Sequence, residues 1–181
     1  MNKAVFLDRD GVINHTVVKD GKPYAPRTLE EFVLNPDIKE LTRLKNLGYY
    51  LIIVTNQPDV ANGIVTRAFV EDLHARINKV FPFDAIITCF HSDKDNCGCR
   101  KPKPGMLYQA RDTFNINLAG SYMIGDRWRD VLAGASAGCT TLFLDHGYQE
   151  GAPVFYPNFT YGSLAAAIEW IESRSRNKST K

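Results

Sequence analysis

Long hydrophobic runs are missing from this chain: none of its apolar stretches approaches the ~20 residues that cross a bilayer, so no membrane partner is expected. Charge of one sign is missing as well. Lys and Arg number 22 against 20 Asp and Glu, and the resulting net charge of +2 is too weak a field to point to nucleic acid. No basic-then-apolar leader stands before the first strand pattern, which makes the cytoplasm the expected compartment. Neither repeats nor a Pro-, Gly- or Ser-rich linker divides the sequence, and 181 residues suit one well-filled core, so a single domain over 1–181 is expected. No extended apolar stripe argues for a second copy, so the expected state is a monomer.

Cysteine is scarce too, with four residues in all. Three of them, Cys89, Cys97 and Cys99, crowd into one short stretch, which in a reducing compartment points to a metal and not to disulfides. Together with His91 they form Cys-x-His-x5-Cys-x-Cys, three thiolates and an imidazole, the donor complement of a closed tetrahedral Zn²⁺ site. Cys139, alone between Gly138 and Thr140, reads as buried packing.

What is present is an alternation of strand and helix patterns. Runs rich in β-branched and aromatic residues fall at Ala4 to Leu7, Tyr50 to Val54, Ala85 to Thr88, Tyr122 to Ile124 and Thr141 to Leu144. Between them the spacing predicts a helix from Pro36, capped by Asn35 and stopped at Gly48. It predicts another from Thr66 to Val80 with Phe69, Val70, Leu73 and Ile77 as its buried stripe. Pro104 can open a third, and Ser163 can cap a last one through Leu164, Ile168 and Ile171. This is an α/β pattern, a mainly parallel sheet with helices on both faces. Residues 14–27 read as a flap, 89–105 as a long ordered loop and 173–181 as a frayed polar tail.

Chemistry-bearing residues gather at the carboxyl ends of these strands, where open α/β sheets place their ligands. Asp8-Arg9-Asp10-Gly11 follows the first strand, Thr55-Asn56-Gln57 the second and Gly125-Asp126-Arg127 the fourth, with Asp130 close behind. Arg100-Lys101-Pro102-Lys103 sets three cations just before a helix start, where backbone N–H groups also favour an anion. Each piece alone has a plainer reading: an acidic turn, a polar strand end, a solvated basic loop.

Taken in order, strand–Asp-x-Asp-Gly, strand–Thr, Lys and strand–Gly-Asp resemble the four motifs of the haloacid dehalogenase-like (HAD) phosphohydrolase superfamily, and they span most of the chain. The resemblance implies a Rossmann-like HAD fold. It implies that Asp8 is the nucleophile that forms an aspartyl-phosphate, and that Asp10 protonates the leaving oxygen and then activates water. Thr55 and Lys101 would hold the phosphoryl group, while Asp126, with Asp8 and the backbone carbonyl of Asp10, would bind Mg²⁺. Too few residues follow the first or second motif for a separate cap domain, which leaves the flap and the cysteine loop to shield the site.

The cysteine loop running straight into Arg-Lys-Pro resembles the branch of the D-glycero-D-manno-heptose 1,7-bisphosphate 7-phosphatases and histidinol-phosphate phosphatases. Val12-Ile13-Asn14 and Pro104-Gly105-Met106 look more like the heptose enzymes. That resemblance implies a small sugar bisphosphate as substrate and a place in nucleotide-activated heptose biosynthesis. Arg100 and Arg127 would hold the second phosphate, and Asn56 and Gln57 would help to form the sugar pocket. Pro58-Asp59 stands where Ser-Gly is common, and His15 to Pro26 lacks the family's Gly-Tyr-Val. Histidinol-phosphate phosphatase stays open as the alternative, with a polynucleotide 3′-phosphatase or a non-catalytic phosphosugar-binding protein further off.

Overall fold

The computed structural model describes residues 1–178. In chain order its strands are β1 (Lys3–Leu7), β2 (Val17–Lys19), β3 (Lys22–Tyr24), β4 (Tyr49–Asn56), β5 (Ala85–Cys89), β6 (Tyr122–Gly125), β7 (Thr140–Leu144) and β8 (Phe159–Tyr161). Six of them form one parallel sheet in the order β5-β4-β1-β6-β7-β8, and β2 and β3 pair as a separate antiparallel hairpin. The five strands expected from the sequence are all in the large sheet, and β8 is a sixth at its edge.

Helices cover both faces, as the unbroken apolar runs of the strands require. Along β1, Val5 and Leu7 point into one core while Ala4 and Phe6 point into the other, and β4 divides Leu51 and Ile53 from Ile52 and Val54 in the same way. The first core is closed by a 3₁₀ helix (Pro36–Glu40), α1 (Leu41–Asn46) and α6 (Leu164–Lys178), which contribute Ile38, Leu41, Leu44, Leu164, Ile168 and Ile171. The second is closed by α4 (Gly105–Phe114) and α5 (Trp128–Ser136), through Met106, Leu107, Ala110 and Ala133. Cys139 is buried in this second core, as expected. Each such side chain taken fully from water contributes roughly 1.5 to 3 kcal/mol if it is Leu, Ile, Phe or Met.

Local signals explain the element ends. The Asn35 side chain accepts from the Asp37 N–H at 3.0 Å, and the Thr66 hydroxyl accepts from the Phe69 N–H at 3.1 Å to open the helix Arg67–Val80, numbered α3 with the short α2 (Pro58–Ala61) before it. Two expectations need correcting. Phe69 is only half-buried, because the stripe that α3 turns inward is Val70, Leu73 and Ile77. The polar segment from Ser173 does not fray at once, because α6 continues to Lys178; the Tyr49 hydroxyl meets that of Ser175 at 2.9 Å, and Glu172 takes both Arg43 and Arg176. The rest of the expected tail, 179–181, lies outside the described residues.

The topology decides where ligands go. Chain order leaves β1 for β4 on one side and later fills in β6, β7 and β8 on the other, so the loop after β1 opens at the switch point of the sheet.

Candidate active site

Register brings the motif residues together. Leu7 lies opposite Ile53 of β4 and Ile124 of β6, so the residues just after these three positions emerge side by side at one edge of the sheet. The Asp8 N–H continues the ladder by donating to the Ile124 carbonyl at 3.0 Å. The chain then turns sharply at Gly11, whose φ of +88° favours glycine. A Cβ on Gly11 would stand 1.8 Å from Oδ2 of Asp126, so the carboxylate lies directly on the glycine backbone.

Lys101 reaches this edge from the loop before α4. Its ammonium lies 2.9 Å from Asp8 Oδ1 and 2.6 Å from Asp130 Oδ1, and it donates to the Val54 carbonyl at 2.7 Å. Asn56 fixes the lysine backbone from both sides, donating to its carbonyl at 3.0 Å and accepting from its N–H at 3.1 Å. Burial pulls an ammonium pKa down, yet Asp130 and Asp8 outweigh it and hold Lys101 above its ordinary value.

Asp10 is turned away from that cluster. Arg9, with no exposed surface, donates to both Asp10 oxygens at 2.9 Å, while Asn14 donates at 3.0 Å and Gln57 at 2.8 Å. Gln57 also donates to the Thr55 hydroxyl at 2.9 Å. Thr55 is fully buried, so its hydroxyl stands behind the mouth of the site. Behind Arg9 lies His74 of α3, whose Nε2 is 3.3 Å from the guanidinium; burial and then Arg9 push its pKa down to about 4, so the neutral ring accepts.

Negative charge is concentrated around Asp8, Asp126 and Asp130, which each bring a carboxylate oxygen within 4.8 Å of the others. Burial, then Asp130, push the Asp8 carboxyl up to about 7 against the pull of Lys101. Burial, then Asp8 and Asp130, raise Asp126 well above the carboxylate range. Asp126 is 1% exposed, and neither of its oxygens makes a well-formed hydrogen bond among the described residues; the Tyr148 hydroxyl acts on it only weakly as a donor. A buried carboxylate so poorly satisfied is costly unless a cation meets it, and the all-oxygen donor set fits a hard divalent ion.

The cysteine loop converges as its spacing predicts. Cys99 Sγ lies 3.3 Å from that of Cys89 and 3.4 Å from that of Cys97, and His91 Nδ1 stands 3.4 Å from Cys99 and 3.6 Å from Cys89. A tetrahedral ion with ~2.3 Å metal–sulfur bonds would set its sulfur atoms roughly 3.8 Å apart, so the four donors fit one. Gly98 and Gly105 touch so closely that a Cβ on Gly105 would fall 2.3 Å from the Gly98 carbonyl oxygen. This contact ties the loop to the start of α4.

Above the carboxylates opens a cavity of about 450 Å³, with Asp8, Asp10, Asn56, Gln57 and Lys101 at its base. Its rim is a series of arginines, each held by an acid. Arg100 donates to Asp93 at 2.8 Å, Arg27 to Asp59 at 2.8 Å and Arg127 Nε to Glu150 at 3.1 Å, while Arg129 approaches Asp93 at 3.3 Å. Of the three cations in the basic stretch, Arg100 and Lys101 line the cavity; Lys103 turns to the Asn96 side chain at 2.6 Å. The flap is the β2–β3 hairpin, with Asp20 and Gly21 at positive φ in its turn, and it lends Lys22 and Tyr24 to the wall.

Arg9, Arg27, Asp93, Arg129 and Glu150 carry no site signal in the sequence; Asn14 and Asp59 stand out there only as a family likeness and a family departure, and Asp130 only as an acid following Asp126. Arg9 is visible between two aspartates, but its contact with Asp10 appears only in the fold. The segment after β7 carries no periodicity to mark it, yet His146 Nε2 lies 2.8 Å from the Gly11 carbonyl and the Tyr148 hydroxyl 2.8 Å from that of Thr16.

A parallel sheet with aspartates after β1 and β6, a threonine ending β4 and a lysine before α4 is the layout of a HAD-type phosphatase. The HAD-hydrolase-like family model matches residues 98–166. A D-glycero-β-D-manno-heptose-1,7-bisphosphate 7-phosphatase of Helicobacter pylori is 40% identical over 143 residues, 75% of this chain and 79% of the relative. One from Salmonella typhi is 37% identical over 165 residues, 83% of this chain and 82% of the relative. The crystal structure of the D,D-heptose 1,7-bisphosphate phosphatase of B. bronchiseptica, complexed with magnesium and phosphate, superposes with a TM-score of 0.80 at 29% identity, covering 95% of this chain and 99% of that one. The chain belongs to the D-glycero-β-D-manno-heptose-1,7-bisphosphate 7-phosphatase family of HAD hydrolases. Among the described residues no helix is long and apolar enough to cross a membrane.

Proposed function

We propose that this protein removes the C7 phosphate of D-glycero-β-D-manno-heptose 1,7-bisphosphate and leaves the 1-phosphate in place for nucleotide activation. The observation that carries the reading is the pairing of Asp8 with Lys101 at 2.9 Å at the base of a cavity whose rim holds Arg100 and Arg127. One end can cleave a phosphate while the other grips a second. The relatives' names supply the sugar and its β anomer.

The Asp8 carboxylate attacks phosphorus as the bond to O7 breaks, and Asp10 delivers the proton that O7 needs to leave. Asp10 then takes a proton from water, whose oxygen attacks the aspartyl-phosphate, releases phosphate and restores Asp8. Lys101 and Thr55 stabilise the phosphoryl oxygens, and most of the rate gain rests on such fixed electrostatics. Arg9, Asn14 and Gln57 orient Asp10, and Asn56 sets the lysine at its height. Mg²⁺ held by Asp8, Asp126 and the backbone carbonyl of Asp10 would neutralise the charge that keeps phosphate and carboxylates apart. Zn²⁺ on Cys89, His91, Cys97 and Cys99 would brace the loop that carries Arg100 and Lys101.

Thiolate-rich metal loops persist in reducing surroundings, which supports a cytoplasmic enzyme. Every group invoked comes from one chain, so a monomer would suffice for the reaction. The test is kcat/KM for the β-heptose bisphosphate against histidinol phosphate, whose cationic end the rim arginines would repel. A preference of ~100-fold or more for the bisphosphate is expected. A preference for histidinol phosphate overturns the proposal.

A further inference from the structure

Arg127, the rim arginine that directly follows Asp126 in the chain, is already occupied. Glu150 meets Arg127 with both carboxylate oxygens, through Nε at 3.1 Å and through Nη2. The carboxylate is 15% exposed, so solvent screens the pair only in part. Glu150 does not hang from a loose loop. The segment leading to it is fastened by the Gln149 N–H, which donates to the Gly21 carbonyl of the flap at 2.8 Å, by Tyr148 on Thr16 and by His146 on Gly11. A negative group is thus fixed against the guanidinium that a second phosphate would need.

We infer that Glu150 is a specificity-determining residue: its carboxylate stands in for the distal phosphate on Arg127 and must be displaced by it. The inference rests on the bisphosphate reading above. A carboxylate and a phosphate cannot share one guanidinium fork without repelling each other, so binding a bisphosphate exchanges one anion for another. A substrate lacking the distal phosphate leaves the pair intact. The exchange has a use at the other end of the cycle. The product keeps its distal phosphate, and an arginine with no competing acid would hold the product as firmly as the substrate. Binding that is equal for substrate, transition state and product lowers KM without speeding the chemical step. Glu150 offsets that uniform binding and retakes Arg127 as product leaves. Asp93 stands in the same relation to Arg100 and Arg129, but it is 65% exposed and a weaker competitor.

The experiment compares the β-heptose 1,7-bisphosphate with the heptose 7-phosphate, which has the same leaving oxygen and no distal phosphate. Glu150→Gln should shift the ratio of the two KM values by roughly threefold to tenfold in favour of the bisphosphate, and should strengthen inhibition by the 1-phosphate product. A KM for the bisphosphate that rises in Glu150→Gln would mean that the carboxylate serves to orient Arg127, and would overturn the inference. Equal changes for both substrates would overturn it too. Arg127→Met separates the two readings: loss of bisphosphate selectivity places the distal phosphate on Arg127. A wild-type enzyme that turns over neither sugar refutes the substrate reading and the inference with it.

Discussion

Lys101 and Asp130 meet at 2.6 Å with side chains that are each 1% exposed, and the same ammonium reaches Asp8 at 2.9 Å. A buried lysine shared between two carboxylates serves both the fold and the reaction. Removing it leaves two acids facing each other without a counter-charge. Lys101→Met is therefore expected to cost about 3 kcal/mol of stability and to lower kcat by ~100-fold or more. Urea unfolding and steady-state kinetics check the two effects separately.

Asp130→Asn is a milder probe of the same pair. It keeps the shape that accepts the Arg127 N–H at 3.1 Å but removes the charge that raises Lys101. Activity should fall less than in Lys101→Met. The acid limb of the pH–rate profile should also move down, because Asp130 is one of the causes that raise Asp8.

The raised carboxylates predict how metal and pH act together on stability. Asp8, at about 7, and Asp126 hold their protons more tightly folded than unfolded. In protein dialysed free of Mg²⁺, the stability they contribute is complete below pH ~4 and is lost as pH rises through their folded values. Mg²⁺ favours the ionised pair and restores that stability. The rise in Tm on adding Mg²⁺ should therefore be small at pH 5 and several degrees, roughly 3 to 6 °C, at pH 8. Thermal melts at both pH values check this, and an equal shift at each contradicts it.

Gly11→Ala should be far more damaging than one methyl suggests. The new Cβ would fall 1.8 Å from Asp126 Oδ2 at a φ of +88°, so either the turn or the aspartate has to move. Mg²⁺ affinity, measured from the concentration that half-restores turnover, is expected to drop by ~10-fold or more, since the aspartate is a proposed ligand. A half-saturating Mg²⁺ concentration equal to that of the wild type would contradict the close approach of Gly11 and Asp126.

The wild-type protein is expected to carry one tightly bound zinc per chain, and Cys97→Ser to lose it, with a lower Tm and a lower kcat, because the loop that Cys97 closes runs directly into Arg100 and Lys101. Elemental analysis with thermal melts checks the first two. A zinc-free protein of full stability and activity would contradict the bracing role.

What was legible in the sequence was whatever is local. Strands buried on both faces show as unbroken apolar runs, and Asp8, Asp10, Thr55 and Asp126 show because each directly follows or ends one. β8 was not legible: Phe159–Tyr161 is three residues long and lies at the sheet edge, with no run to mark it. Arg9 was visible but uninterpreted, since only the fold turns its guanidinium back onto Asp10. Glu150 lies 23 residues from Arg127 in a segment without periodicity, so their contact exists only in three dimensions. The helical start of the expected tail was illegible for a similar reason, because Tyr49 and Arg43 hold the last turns of α6 from a distant part of the chain.

Whether Asp8 cleaves the C7 phosphate is tested by ³¹P NMR of D-glycero-β-D-manno-heptose 1,7-bisphosphate incubated with the protein and Mg²⁺, in parallel with Asp8→Asn. The C7 resonance is expected to be replaced by that of inorganic phosphate while the anomeric phosphate persists, and Asp8→Asn to leave both resonances unchanged. Loss of the anomeric phosphate, or turnover that survives in Asp8→Asn, would contradict the proposed reaction.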